Sequence, residues 1–199
     1  MTRSRLEAFS DGVIAILITI MVLELRAPEG AHLSDLRPLL STGLSYLLSF
    51  VIIAIYWNNH HHLFAAVERV DGRVLWANMH LLFWLSIVPF TTAWMGEHHE
   101  ERVPMAVYGF VFLGAGFAYY LLTHALLALH PPESNLARAI GRDWKGQASV
   151  VAYALGIAAS FVSTWVALAA YIGVAVLWLV PDRRIHRVLA TGPVVPDPD

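Results

Sequence analysis

Apolar stretches of membrane-spanning length, bounded by short charged clusters, set the rhythm of this chain. A hydrocarbon core about 30 Å thick takes about 20 helical residues to cross, so each stretch predicts a spanning helix. Four are plain, over 6–26, 38–64, 73–96 and 103–130. A last run, Gly146 to Val180, has 35 residues. As one helix it would extend roughly 52 Å, too far for a single crossing. A turn around Ser160-Phe161-Val162-Ser163-Thr164 divides it into 146–161 and 164–181. The pattern therefore predicts an all-α fold, an integral membrane bundle of six transmembrane helices occupying 1–190. Pro193, Pro196 and Pro198 mark 191–199 as a disordered tail. No soluble domain and no internal repeat stands out.

Charge gives the bundle an orientation. With the N-terminus inside and six crossings, the cytoplasmic side holds Arg3, Arg5, Arg69, Arg73, Arg138, Arg142, Lys145, Arg183, Arg184 and Arg187. Only Arg26, Arg37 and Arg102 fall outside, which is the positive-inside asymmetry. Five crossings would put the Arg183-Arg184-Arg187 cluster on the wrong side. The expected placement is the cell membrane, multi-pass, with both termini cytoplasmic. Composition agrees, at 57% hydrophobic and 14% charged with a mean hydropathy of +0.58. The net charge of −2 lacks the basic excess that nucleic acid requires, so no nucleic-acid partner is expected. The absence of cysteine removes thiolate chemistry and disulfides. The first run follows Arg5 directly and has no small-residue cleavage site, so it is read as a retained span.

Several polar groups sit where a bilayer makes them costly. Asp11 lies six residues beyond Arg5, about 9 Å along a helix. It is either hydrated at the interface or turned toward a bundle interior or water-filled path, where such residues carry function. Helical geometry places Asp11, Ala15, Ile18, Val22 and Leu25 on one face, with Thr19 about 100° off it and able to bond back within its own helix. On the second span, Tyr56-Trp57-Asn58-Asn59-His60-His61-His62 gathers hydrogen-bonding groups. Consecutive histidines point roughly 100° apart and cannot chelate one metal; a metal site would need His80 or His124 as recruits. The third span adds Asn78, His80 and an interior Pro89. The second span ends, and the third begins, at the depth of Ser10 and Asp11. A polar network joining these residues follows naturally.

The run Arg5-x-x-x-Phe9-Ser10-Asp11-Gly12, followed by Ile14-Ala15-Ile16 and Thr19, resembles the signature of the transmembrane protein 175 family of potassium channels. Trp57-x-x-His60-His61-x-Leu63-Phe64, Asn78 and Pro89-Phe90 resemble that family's neighbouring motifs. The resemblance covers the first three helices well and the others only in number and length. It implies a six-helix subunit whose first helix lines a central pore, with Arg5, Phe9, Ser10, Asp11, Trp57, His60, His61, Asn78 and His80 forming the motif and packing network. A chain carrying the motif once is expected to form a homotetramer. The resemblance also implies an apolar constriction at Ile18, with further layers at Val22 and Leu25. Thr19 supplies a possible pore hydroxyl. The Thr-Val-Gly-Tyr-Gly filter of ordinary potassium channels is absent.

The expected function is a leak-type potassium-selective or potassium-preferring cation channel with a hydrophobic gate. Its partners are its own copies, membrane lipid and permeating monovalent cations. It is not expected to be an enzyme, nor to hold a cofactor or metal beyond the permeant potassium ion. The alternative is a proton channel or proton-coupled transporter using Asp11 and the intramembrane histidines. A third class, a metal or haem enzyme, would need His60, His62, His80 and His124 to converge.

Overall fold

A computed structural model describes residues 2–140 and 144–179. Among these the chain forms α1 (Arg3–Leu23), α2 (Leu40–Ala65), α3 (Gly72–Glu97), α4 (Arg102–Leu127), a short α5 (Asn135–Ile140), α6 (Trp144–Ser160) and α7 (Thr164–Leu179). A 3-10 segment, Leu33–Leu39, leads into α2. The six long helices are those the hydrophobic pattern predicts, and α5 is an addition within the α4–α6 connection. The expected tail at 191–199 and the Arg183-Arg184-Arg187 cluster lie outside the described residues.

The ends of the helices have local causes. Asp71 caps α3 by accepting from the backbone N–H groups of Arg73 and Val74 at 2.9 and 3.0 Å. The turn between α6 and α7 closes where the Ala159 carbonyl accepts from Val162 and Ser163 at 2.9 and 2.7 Å. Two helix ends fall three residues short of expectation: α4 stops at Leu127 rather than at 130, and α1 at Leu23 rather than at 26. An acid at its C-cap, Glu24, opposes the helix dipole, and Pro28 disfavours helical backbone just beyond.

α3 occupies the centre, packed against α1, α2 and α4; α4 packs on α6, α6 on α7, and α7 returns to α2. The core runs from Leu6, Ile14, Leu17 and Met21 of α1 through Leu81, Leu85 and Val88 of α3 to Tyr108, Phe112 and Tyr171. Tyr171 is fully buried across α4 and α6 and donates to the Met105 carbonyl at 3.2 Å. A Cβ at Gly109 or Gly156 would collide with its ring, so both glycines serve close approach. Gly114 gives the same room to the ring of Trp84.

Candidate functional site

α1 has two unlike sides. Leu6, Ser10, Ile14, Leu17 and Met21 are buried against α2 and α3. Phe9, Ile16, Ile20, Val22 and Leu23 are exposed apolar side chains, and 28% of the spanning window is buried inside the chain, close to the 22% of the segment that holds α2 and below the 44% of α3 and 50% of α4. A helix this apolar and this uncovered needs lipid or another protein surface around it.

The buried side carries a directed hydrogen-bond chain. The Asn78 carbonyl oxygen can only accept, so His60 donates to it through Nε2 at 2.8 Å. Asn78 Nδ2 donates to Ser10 Oγ at 2.9 Å, and Ser10 donates to the Leu6 carbonyl at 2.9 Å. Ser10 and Asn78 are fully buried and His60 is 1% exposed. His60 Nδ1 is buried without a hydrogen-bond partner, and its ring stacks on Phe64 at 4.5 Å. One amide thus ties α1 to α2 through α3.

Beside it runs a more exposed set of contacts. Trp57 Nε1 donates to Asp11 Oδ1 at 2.9 Å, which gives the deep carboxylate a partner across the α1–α2 seam. The Trp57 ring stacks with His61 at 5.9 Å, and His61 Nδ1 stands 3.3 Å from Glu7 Oε1. Glu7 also pairs with Arg3 at 3.8 Å, and Arg3 donates to the Val67 carbonyl at 3.0 Å. Sequence reasoning passed over Arg3 and Glu7 as members, although their i,i+4 spacing was a usable signal.

The structure therefore brings Ser10, Asn78 and His60 together, and Asp11, Trp57 and His61 beside them. It does not bring in Arg5 or Phe9, which are both exposed. His80 also stands apart: its Nε2 accepts from Trp84 Nε1 at 3.0 Å, on the side of α3 where Trp84 enters Gly114 of α4. The shared depth of Asn78 and His80 is real, but two residues along a helix turn them about 200° apart. His124 Nδ1 donates to the Tyr120 carbonyl at 2.9 Å, so His60, His80 and His124 of the metal-enzyme reading engage different partners. Among the described residues no three His, Asp or Glu side chains converge to hold a metal.

On the apolar face, Ile18 packs half-buried beside the core, on the flank that Asp11 turns toward Trp57. Val22 is 44% exposed. Leu25 falls past the end of α1, where Leu25 N–H bonds to the Val22 carbonyl at 3.1 Å, so helical spacing no longer places it on the stripe. Thr19 is exposed and its hydroxyl bonds back to Ile16 and Ala15 at 2.9 and 3.2 Å, leaving the oxygen lone pairs outward.

A family model described as endosomal/lysosomal potassium channel TMEM175 matches residues 5–89, the segment holding α1, α2 and most of α3. A protein of Chryseobacterium sp. (strain P1-3) named a potassium channel is 48% identical over 189 residues, spanning 95% of this chain and 98% of its own. The crystal structure of a lysosomal potassium-selective channel TMEM175 homolog from Chamaesiphon minutus superposes with a TM-score of 0.74 at 31% identity, covering 89% of this chain and 96% of that one. The mouse endosomal/lysosomal proton channel TMEM175 is 27% identical over 111 residues, which is 53% of this chain and 22% of the mouse protein. Likeness over nearly the whole length of two of these proteins, with the family model falling on the helices that build the polar chain, shows that this protein belongs to the TMEM175 family.

Proposed function

We propose that this chain is one subunit of a potassium-conducting channel of the cell membrane, a homotetramer with both termini cytoplasmic and α1 of each subunit facing a shared axial path. The observation that carries this reading is the near full-length similarity to a protein named a potassium channel and to a potassium-selective TMEM175 homolog. The uncovered apolar face of α1, centred on Ile16, Thr19 and Leu23 with Ile18 at its edge, supports it, because one helix per subunit lines a narrow path only when several subunits surround the axis. The activity is passive conduction rather than catalysis. Ile18 is the constriction: a ring of four such side chains offers nothing to replace an ion's hydration shell, so it blocks until wetted. Val22 forms the next layer outward, and Thr19 is the nearest hydroxyl. The permeant ion is the only non-protein component the reading requires.

The test is flux in vesicles driven by a potassium gradient alone. The parent protein should pass potassium. Ile18→Asn should pass more, with a reduced potassium-to-sodium ratio, because four amides lower the wetting barrier. Ile14→Asn serves as the packing comparison: Ile14 is 1% exposed in the core, so the variant should lose assembled protein rather than selectivity. Normal assembly of Ile18→Asn with unchanged current and ion preference would place the constriction elsewhere. A proton-conducting reading is favoured instead if protons move and potassium does not; the mouse relative's name and the Asp11–Trp57 pair at the α1–α2 seam support that second reading.

A further inference from the structure

Between α2, α4, α6 and α7, toward the end of the bundle where Trp144 begins α6, lies a cavity of about 750 Å³. That is within the range of roughly 300–1,000 Å³ that encloses small molecules. A glycine adds to its room. On α4, Gly109 and Gly114 yield their space to Tyr171 and Trp84, but a Cβ at Gly116 would meet only the Tyr56 hydroxyl, at 3.7 Å. The room beside Gly116 is left unfilled.

The wall is mostly apolar, although it includes Gln147 and the Tyr153 hydroxyl, which is buried without a hydrogen-bond partner; several of its other polar groups are engaged within the protein. Tyr119 donates to the Asn59 carbonyl at 3.2 Å, and Asn59 to the Ile55 carbonyl at 2.9 Å. Trp178 donates to Ser149 and Ser149 to the Lys145 carbonyl, both at 2.8 Å. These donors are spent inside the protein. Phe117, Tyr120 and Val151 line the cavity and yet are 53%, 48% and 57% exposed, so it opens sideways between α4 and α6. They lie seven to ten residues in from Leu127 and Trp144, about 10–15 Å along each helix and therefore among acyl chains. At the end nearest the interface, the Lys145 ammonium stands 5.7 Å above the ring of Trp178, a wall residue. A cation beside an aromatic ring at that depth suits a lipid phosphate.

We propose that this cavity is a phospholipid site: one acyl chain enters sideways between α4 and α6 into the room left by Gly116, and the anionic headgroup rests at Lys145. An apolar cavity left empty forfeits contacts over its whole lining, and the surrounding bilayer holds lipid in excess at its mouth. The site is separate from α1 and does not depend on the conduction reading.

The experiment is photolabelling of the full chain in vesicles of phosphatidylcholine containing a trace of phosphatidylglycerol with a diazirine in its acyl chain, with labelled positions mapped by mass spectrometry. Labels should concentrate on 113–124 and 146–153 above the level at Phe110, an exposed position elsewhere on α4. Gly116→Leu should cut the cavity labels by about tenfold, the equivalent of losing fewer than a couple of buried methylenes, and leave Phe110 labelling unchanged. Val150→Trp narrows the mouth and should act in the same direction if Gly116→Leu fails to assemble. Lys145→Gln should remove the advantage of phosphatidylglycerol over an equivalent phosphatidylcholine probe. The proposal is overturned if cavity labels match the Phe110 level, if neither filling variant lowers them, or if a diazirine fatty acid labels the cavity more strongly than the phospholipid.

Discussion

Two hydrogen-bonded chains fasten the helices, one near each end of the bundle, and they are built differently. Near the Arg3 end, His60, Asn78 and Ser10 join α2, α3 and α1 and finish on the Leu6 carbonyl. Near the other end, Tyr108 of α4 stands 3.0 Å from Ser49 of α2, Ser49 stands 2.7 Å from Thr92 of α3, and Thr92 bonds to the Val88 carbonyl at 2.7 Å. Both are buried. The first rests on an amide whose oxygen and nitrogen each have one fixed role; the second is made only of hydroxyls, which donate or accept as required. The first also fastens a helix that buries few side chains in its own chain, whereas Tyr108 lies in an aromatic cluster with Phe112 at 4.9 Å and Tyr171 at 5.8 Å. Polar chemistry holds the helix of the proposed ion path, and shape holds the outer ones.

The sharpest way to break this contrast is Asn78→Leu. It leaves the His60 donor and the Ser10 hydroxyl buried with one partner fewer each, at about 1–3 kcal/mol per orphaned group, so a loss of about 3 kcal/mol is expected. Thermal unfolding in detergent measures it, and potassium flux should fall with the assembled fraction. A loss under about 1 kcal/mol would mean that apolar packing alone holds α1.

Next in size, Gly109→Ala drives a methyl into Tyr171 and should cost about 2 kcal/mol through overpacking. Tyr171→Phe in the same chain removes the hydroxyl nearest that methyl and should recover part of the loss in the same assay. If the double variant is no better than Gly109→Ala, the fit around Tyr171 is not what limits α4 packing.

Asp11→Asn should cost about 1 kcal/mol, because the Trp57 N–H keeps an acceptor but loses charge assistance. Glu24→Gln should be neutral or slightly stabilising, since an acid at the C-cap of α1 opposes the helix dipole. Equal effects of the two on melting temperature and flux would remove Asp11 from the α1–α2 seam.

Ser49→Ala tests the all-hydroxyl chain and should cost less than Asn78→Leu. Thr92 retains the Val88 carbonyl, but the buried Tyr108 hydroxyl loses its Ser49 partner, so about 1–2 kcal/mol should be lost, for one orphaned group against two in Asn78→Leu. A larger loss than for Asn78→Leu would reverse the contrast between the two chains.

The hydrophobic pattern alone determined the six helices, the break between α6 and α7, and the depth shared by Ser10, Asp11, His60 and Asn78, because bilayer thickness and helical rise convert residue counts directly into height. The family motif on α1 was legible for the same reason: it is local, and spacing defines it. Azimuth across helices was not legible. The choice of Asn78 rather than His80 as the partner of His60, the pairing of Trp57 with Asp11, and the meeting of Tyr171 with Gly109 and Gly156 all depend on how each helix is rotated against its neighbours. That rotation is set by side-chain packing summed over several helices, which no single stretch of sequence contains. Leu25 illustrates the limit from the other direction: the apolar stripe continued on paper past Leu23, but the helix that gave the stripe its geometry had already ended. Height in the membrane follows from one-dimensional spacing, and only tertiary packing decided which side chains meet.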